Sequence, residues 1–224
     1  MLLGRRLTKC ISAAGILLFS ISALTEQSQY IPFIDKESLD RLEASHGRSA
    51  RYRGEALNRL IENYRGSDVT TKLIEVNRFF NQFSYLEDAI LWGENDYWQT
   101  PVEFLGKNSG DCEDYVIAKY FTLIEMGVDE KQLYLTYVKA VKENAAHMVL
   151  SYYETPGSVP LILDNYNKKI LEATIRKDLM PVYSFNGSSL FLSGSVGLGR
   201  ALPTDKVKNS KWTKLLERVK RAKP

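Results

Sequence analysis

The segment Ser-Gly-Asp-Cys-Glu-Asp-Tyr at residues 109–115 decides the fold, because it places a cysteine in the first turn of a helix. Apolar residues recur at helical spacing after it, and Gly127 is a natural residue to end the helix. Backbone N–H groups and the helix dipole favour a thiolate at this end, so Cys112 is placed like a nucleophile. A structural cysteine would be expected among apolar neighbours, whereas three carboxylates flank this one.

Helical patterns precede this segment and strand patterns follow it. Two apolar stripes at helical spacing cover residues 52–64 and 69–83. Helices first and strands afterwards predict an α+β fold, in which the Cys112 helix packs on a mostly antiparallel sheet. The predicted strands cover residues 133–141, 146–153 and 159–163, and Asn186-Gly187 marks a hairpin turn between 183–185 and 190–192.

A cysteine nucleophile needs a base, and the chain has two histidines. His46 lies in a polar stretch with no sign of a strand or a site, so we interpret it as a surface residue. His147 lies near the start of a predicted strand and is the candidate base, although a lone strand histidine is more often structural. If this strand alternates, His147 shares one face with Val149 and Ser151.

Asp164 is the candidate that orients the imidazole of His147. A turn at residues 154–158 separates the two predicted strands, and opposed residue numbers in a simple hairpin sum to a constant. This arithmetic places Asp164 opposite His147 with their Cβ atoms ~5 Å apart, which suits a hydrogen bond. The alternative is that Asp164 is a turn residue ahead of Asn165. Arithmetic and chemistry together favour a triad with Cys112.

The carboxylates of Asp111, Glu113 and Asp114 flank the nucleophile. They would raise the pKa of the Cys112 thiol, and a helix dipole of about half a charge cannot offset them. A bound hard cation resolves this conflict, and oxygen ligands without a nearby histidine or second cysteine favour Ca²⁺ over Zn²⁺. The alternative is that the acids serve the helix terminus, with Asp111 and Asp114 in a capping box.

The chain has 224 residues, 44% of them apolar and 25% charged, which excludes a disordered, collagen-like or disulfide-scaffold protein. Basic residues before an apolar run at residues 10–24 predict a secretory signal at residues 1–25, with a retained anchor as the alternative. Removal of this signal would lower the 30 basic residues by three, to 27 against 27 acidic ones. We therefore predict one exported domain, residues 26–224, with no nucleic-acid partner and with Cys112 as its lone cysteine.

The C-terminal segment is basic and amphipathic. Residues 205–224 hold eight Lys or Arg against two acids, and Trp212, Leu215, Leu216 and Val219 share one helical face. Two interpretations stay open, namely a helix docked on the core with a solvated basic face, and a helix that binds a membrane surface or a partner.

The compact order Cys–His–Asp, on one helix and two neighbouring strands, resembles the core of transglutaminase-like proteins. More specifically, Trp-Gln-Thr-Pro-Val-Glu-Phe-Leu at residues 98–105 and Gly-Asp-Cys-Glu-Asp-Tyr at 110–115 resemble the bacterial transglutaminase-like cysteine proteinases of the LapG family. The helix at residues 76–81, the His147 strand and Leu-Asp-Asn at 163–165 also match the pattern of this family. The resemblance covers most of the mature chain.

This resemblance implies a papain-like or transglutaminase-like core and a periplasmic, calcium-dependent cysteine endopeptidase. Family members cleave large surface adhesins near the N-terminus at an Ala-Ala site, which releases biofilm cells, and an inner-membrane receptor that senses cyclic di-GMP can sequester them. Residue by residue, Cys112, His147 and Asp164 match the nucleophile, the base and the orienting acid. The calcium-site acids of the family are matched by Asp111, Glu113 and Asp114.

Two other functions compete with this interpretation. A transglutaminase or amidase has the same core, so fold and triad do not separate it from a peptidase. A catalytically silent module that binds calcium or a receptor is the second alternative, and the intact Cys, His and Asp set argues against it.

Overall fold

Helices come first along the chain and strands come afterwards, as the change of period predicts. The computed structural model describes residues 33–192, 197–202 and 210–222, and the predicted signal at residues 1–25 lies outside them. The helices are α1 (Lys36–His46), α2 (Arg48–Tyr64), α3 (Val69–Phe80), α4 (Asp88–Leu91), α5 (Pro101–Lys107), α6 (Cys112–Glu125) and α7 (Ser210–Ala222). The strands are β1 (Ser84–Tyr85), β2 (Ser109–Gly110), β3 (Leu133–Ala140), β4 (Ala145–Tyr152), β5 (Leu161–Leu163), β6 (Leu171–Glu172), β7 (Leu179–Phe185), β8 (Leu190–Leu192) and β9 (Arg200–Leu202).

The main sheet is antiparallel throughout the described part of the chain. Its strand order is β6-β5-β4-β3-β7-β8-β9, and the short strands β1 and β2 pair separately in parallel. Helix α6 packs against β3 and β4, and α3 and α5 pack against α6. The predicted α+β class, with the nucleophile helix on an antiparallel sheet, is confirmed.

Local sequence signals account for the ends of the helices that carry the site. Asp68 caps α3 by accepting the backbone N–H of Thr71 at 3.0 Å, a role for which aspartate is well suited. Gly127 adopts a φ of +84° just past α6, a conformation that glycine reaches without strain. One residue of the predicted stripes is misplaced, because Tyr52 is 56% exposed while Leu57 and Ile61 are fully buried.

Helix α7 is docked on the core. Trp212 is 4% exposed, and its ring stacks on Phe121 at 5.9 Å and meets the edge of Phe185 at 5.7 Å. Leu215 and Val219 are buried on the same face. This burial favours the docked interpretation of the basic segment, because its apolar face is covered by the protein itself. Among the described helices, none combines the length and the hydropathy of a membrane span.

We predict that Trp212→Ala lowers the free energy of unfolding by about 3 kcal/mol, because it removes a large buried side chain and leaves a cavity. Urea denaturation measures this loss. Lys214→Ala is the matched control, since Lys214 is exposed on the same helix and its loss should change stability by less than ~0.5 kcal/mol. Equal stability of the Trp212 variant and the parent protein would show that α7 is not docked in solution.

Candidate active site

Cys112 is the first residue of α6, where the motif predicts it. Its thiol donates to Glu113 Oε2 at 3.1 Å and accepts the backbone N–H of Met148. The sulfur atom therefore lies beside Met148, the residue that follows His147 in β4. Burial raises the pKa of the Cys112 thiol well above its ordinary value, and the carboxylates of Glu113 and Asp111 raise it further.

The turn before Cys112 is built around the carboxylate of Asp114. Gln99 donates its backbone N–H to Asp114 Oδ1 at 2.8 Å and its side-chain amide to Oδ2 at 2.5 Å. The backbone N–H of Asp111 also donates to Asp114 Oδ2, at 3.2 Å. A Cβ atom at Gly110 would lie 2.3 Å from Asp114 Oδ2, so this packing requires glycine.

His147 and Asp164 form the predicted pair. His147 Nε2 lies 2.8 Å from Asp164 Oδ1, and neither side chain is exposed to solvent. The other imidazole nitrogen, Nδ1, is also buried and has no hydrogen-bond partner among the residues that the structure describes. Nδ1 is therefore the nitrogen that remains to exchange a proton with a thiol.

The strand register used to predict this pair is wrong by two residues. Leu150 lies opposite Leu163, so Asp164 follows the end of β5 instead of pairing within it. Tyr152 pairs with Leu161, so residues 153–160 form the connection between β4 and β5. A shift of two residues keeps the same face of the strand, which is why the pair survives the correction.

Four further residues hold Asp164. Arg176 Nη2 donates to Oδ2 at 2.6 Å, and the backbone N–H of Tyr166 donates to Oδ1 at 3.0 Å. The Asp164 carbonyl accepts from Asn81 Nδ2 at 2.9 Å and from Lys119 Nζ at 3.3 Å. The bond to Tyr166 is a local turn contact, so both predicted roles of Asp164 occur together.

These contacts shift two pKa values. Burial raises the pKa of Asp164, but the hydrogen bonds and charges of His147 and Arg176 outweigh it and lower that pKa to about 2. Burial lowers the pKa of Lys119 to about 7, with a partial offset from the Asp164 carboxylate. The Asp164 carboxylate is thus ionised at neutral pH, next to a lysine whose pKa is lowered by burial.

The ring of Tyr166 covers one face of the imidazole. It stacks on His147 with centroids 4.0 Å apart and an interplanar angle of 9°. Tyr166 is itself 48% exposed and meets the ring of Tyr85 at 6.0 Å. The stack keeps water from the imidazole and fixes the plane of the ring.

The three predicted calcium-site acids separate into two groups. Asp111 and Asp114 come together with Asp88, the first residue of α4, and one ligand atom of each lies within 4.8 Å of the others. Glu113 instead groups with Asp111 and the Cys112 sulfur. Asp88 was not among the ligands predicted from the sequence.

The acid group fits a hard cation. Asp88 Oδ1 and Asp111 Oδ1 are buried and have no hydrogen-bond partner within the described residues. Burial and the Glu113 carboxylate raise the pKa of Asp111 to about 9, and burial also raises the pKa values of Asp88 and Asp114. A group of acids that binds a cation such as Ca²⁺ has two such properties when no positive charge is nearby. The carboxyl pKa values are raised, and some carboxylate oxygens lack hydrogen-bond partners.

Sequence reasoning missed Asp88 and Arg176 because nothing local marks them. Asp88 lies far upstream of the cysteine motif, in a stretch of mixed polar and apolar residues. Arg176 lies in Thr-Ile-Arg-Lys-Asp, which has the composition of a surface turn. Asn81, the residue just after α3, lies in the segment 76–81 that the family resemblance includes, which was the one available signal for it.

The comparisons with known proteins identify a family of cysteine proteinases. The family described as bacterial transglutaminase-like cysteine proteinase, BTLCP, matches residues 55–177. A solved structure of Legionella pneumophila LapG shares 43% identity, covers 84% of this chain and 99% of its own, and superposes with a TM-score of 0.70. The EGTA-treated form of that protein covers 84% of this chain and 100% of its own, with a TM-score of 0.72. The calcium-bound form covers 84% of this chain and 99% of its own, with a TM-score of 0.71, and both are 43% identical to this chain. No curated protein matches the chain.

We predict that Lys119 sets a pH dependence of stability. Its pKa of about 7 in the folded protein lies below the ordinary value of 10.5, so the unfolded chain binds more protons between these values. Burial of Lys119 therefore costs no stability above pH ~10.5, where the lysine is neutral in both states. The cost grows as the pH falls from ~10.5 toward ~7, because only the unfolded chain takes up the proton. Lys119→Met should lower the slope of unfolding free energy against pH by up to ~1.4 kcal/mol per pH unit between pH 8 and 10.

Urea denaturation at several pH values measures this slope. Lys131→Met, at an exposed lysine before β3, is the control and should leave the slope unchanged. Parallel curves for Lys119→Met and the parent protein would show that Lys119 keeps an ordinary pKa.

We predict that Arg176→Met lowers the free energy of unfolding at pH 7 by about 3 kcal/mol, because it leaves the buried carboxylate of Asp164 without its cation. Arg176→Lys keeps the charge and should lose less. Asp178→Asn is the control for the other, partly exposed partner of Arg176 and should cost about 1 kcal/mol or less. A loss for Arg176→Met no larger than that of Asp178→Asn would contradict this role.

Proposed function

Since this chain belongs to the bacterial transglutaminase-like cysteine proteinase family, we propose that it is an endopeptidase with Cys112 as nucleophile, His147 as base and Asp164 as orienting acid. One observation carries the proposal, namely the buried 2.8 Å His147–Asp164 pair on the strand whose next residue, Met148, donates its backbone N–H to the Cys112 thiol at a helix N-terminus. The unpartnered Nδ1 of His147 supports it, because a base needs a nitrogen that is not already bonded.

The proposed reaction uses these groups in sequence. His147 Nδ1 takes the Cys112 proton, and the thiolate attacks a peptide carbonyl to form a tetrahedral intermediate. The backbone N–H of Cys112 stabilises the oxyanion at the helix N-terminus. His147 then gives its proton to the leaving amine, and a water molecule deprotonated by the same imidazole hydrolyses the thioester. Asp164 keeps Nε2 protonated and stabilises the imidazolium throughout.

We propose that Ca²⁺ is held by Asp88, Asp111 and Asp114, with Glu113 as the nearest further carboxylate. A bound Ca²⁺ supplies positive charge that neutralises the acids next to the thiol. Its effect on this chain is electrostatic, because those acids otherwise raise the pKa of Cys112. The calcium-bound form of Legionella pneumophila LapG, which is 43% identical to this chain, supports Ca²⁺ as the ion.

We propose that the substrate is a large surface adhesin, cut in its N-terminal region at an Ala-Ala site, so that cleavage releases biofilm cells. The predicted signal at residues 1–25 supports a periplasmic location for this reaction. An inner-membrane receptor that senses cyclic di-GMP is the proposed partner that sequesters the protease. These proposals rest on the family, since the geometry of the site is common to many peptide substrates.

We predict that Cys112→Ala, His147→Ala and Asp164→Asn each lower cleavage at least ~10³-fold. Double variants should be little worse than single ones, because the three residues act as a unit. The assay incubates the protein, without residues 1–25, with the N-terminal region of the host's largest secreted adhesin and reads the products by mass spectrometry.

Two peptides are the expected products. A cross-linked or deamidated adhesin would identify a transglutaminase or an amidase instead. Full cleavage by folded Cys112→Ala would exclude the cysteine mechanism. No reaction of Cys112 with iodoacetamide at pH 6 would favour a catalytically silent module.

We predict that EGTA abolishes cleavage and that Ca²⁺ restores it. Asp88→Asn and Asp114→Asn should weaken Ca²⁺ binding, measured by calorimetry, at least ~10-fold, because each removes a charged ligand. Glu154→Gln is the control, since this exposed acid lies outside the site. Full turnover in EGTA, with metal content verified as absent, would show that the acids serve only the helix terminus.

A further inference from the structure

Residues 96–99, which we call the 96–99 segment, connect two acids of the proposed cation site. The backbone N–H of Tyr97 donates to Asp88 Oδ2, and the backbone N–H of Gln99 donates to Asp114 Oδ1 at 2.8 Å. The bond from Tyr97 uses Oδ2 of Asp88, so Oδ1 is the oxygen that has no hydrogen-bond partner among the described residues. The position of this one segment therefore sets the orientation of both carboxylates.

Helix α7 contacts the 96–99 segment through its basic side chains. Arg218 Nη2 donates to the carbonyl of Trp98, and the guanidinium of Arg218 lies 4.6 Å from the centre of the Tyr97 ring. The ammonium group of Lys211 forms an ion pair with the Asp96 carboxylate. Three of the four residues in the segment are thus held by the C-terminal helix.

The 96–99 segment needs such support because local structure does not fix it. It belongs to no helix or strand, and Asp96 has a φ of +70°, which is uncommon for a residue other than glycine. The Asp96 carboxylate accepts from Trp98 Nε1 at 2.9 Å with one oxygen and binds Lys211 with the other. The contact with α7 therefore stabilises a backbone conformation that the segment would adopt less readily alone.

Charge and position have opposite effects on cation binding at this place. A positive side chain near the acids repels a cation, so Lys211 and Arg218 would lower the affinity for Ca²⁺ if they acted by charge alone. If they act by orienting Asp88 and Asp114, they raise that affinity instead. The sign of the change on removing either basic residue separates the two roles.

We propose that Arg218 and Lys211 are positioning residues of the cation site, and that they raise its affinity for Ca²⁺ by holding the 96–99 segment. The proposal rests on the proposed assignment of Asp88 and Asp114 as Ca²⁺ ligands. It gives the basic side of α7 a role in the site, although α7 contributes none of the proposed ligands. Residues that orient metal ligands without touching the metal typically change metal affinity by about 10–100-fold.

Calorimetric titration of Ca²⁺ into the metal-free protein tests this role. Arg218→Met and Lys211→Met should each weaken Ca²⁺ binding at least ~10-fold, although each removes a positive charge. Lys214→Met removes the same charge from an exposed position of α7 and is the control, with an expected change of less than ~2-fold. Urea denaturation verifies that each variant is folded under the conditions of the titration.

The parent protein separates the two ways in which this test can fail. Unchanged or tighter Ca²⁺ binding by folded Arg218→Met, in a parent that binds Ca²⁺, would overturn the positioning role alone. If Arg218→Met does not fold, the same result for Lys211→Met decides, because the Lys211 side chain is 41% exposed and its loss should leave the protein folded. A parent that binds no Ca²⁺ would overturn the proposed cation site and this inference together.

Alkylation of Cys112 by iodoacetamide gives a readout that does not depend on a peptide substrate. The rate, followed by mass spectrometry of the Cys112 peptide, is measured against Ca²⁺ concentration. Arg218→Met should need at least ~10-fold more Ca²⁺ for the half-maximal rate and should reach the parent's rate in excess Ca²⁺, because its ligands are intact. A lower rate in excess Ca²⁺ would show that α7 acts on the thiol directly, which overturns the proposal.

Discussion

The structure depends on one carboxylate, that of Asp164, which joins elements far apart in the chain. Its oxygens bind the imidazole in β4 and the guanidinium that precedes β7, and its backbone carbonyl binds the residue after α3 and a lysine of α6. A buried carboxylate is stable only when its hydrogen-bonding capacity is filled. The same contacts that make Asp164 stable therefore fix the position of His147 relative to the helix that carries Cys112.

The site contains two electrostatic environments with opposite effects on carboxylates. Around Asp164, an imidazole and a guanidinium lower the pKa to about 2, so its negative charge is stabilised by the protein alone. Around Asp111, burial and neighbouring acids raise the pKa to about 9, so negative charge there lacks compensation from the protein. The thiol lies beside the second environment. In the proposed mechanism a cation next to Asp111 offsets these acids, and the orphaned oxygens of Asp88 and Asp111 provide a place for it.

The sequence predicted the chemistry of the site better than its geometry. Cys112, His147 and Asp164 were found because their chemical roles demand these residue types, and because strand periodicity survives a register error of two residues. The error itself arose in the connection at residues 153–160, whose conformation the turn signal does not determine. Asp88 and Arg176 reach the site through long-range packing, and no local pattern marks such residues. The docking of α7 also follows from an aromatic cluster assembled across the chain, although its amphipathic face was visible in the sequence.

The acid group also links metal binding to folding in this chain. Asp88 begins α4, Asp111 precedes α6 and Asp114 lies in its first turn, so three parts of the backbone must meet before the oxygens converge. An unfolded chain does not hold these oxygens together, and a cation that binds only the folded form stabilises that form by mass action. The carboxylates destabilise the fold when they are charged and alone, and they contribute to stability when they are shared by a cation. If the proposed Ca²⁺ site is correct, the acids buried at the start of the Cys112 helix make stability and activity depend on the same ion. A helix terminus capped by neutral side chains would not have this property.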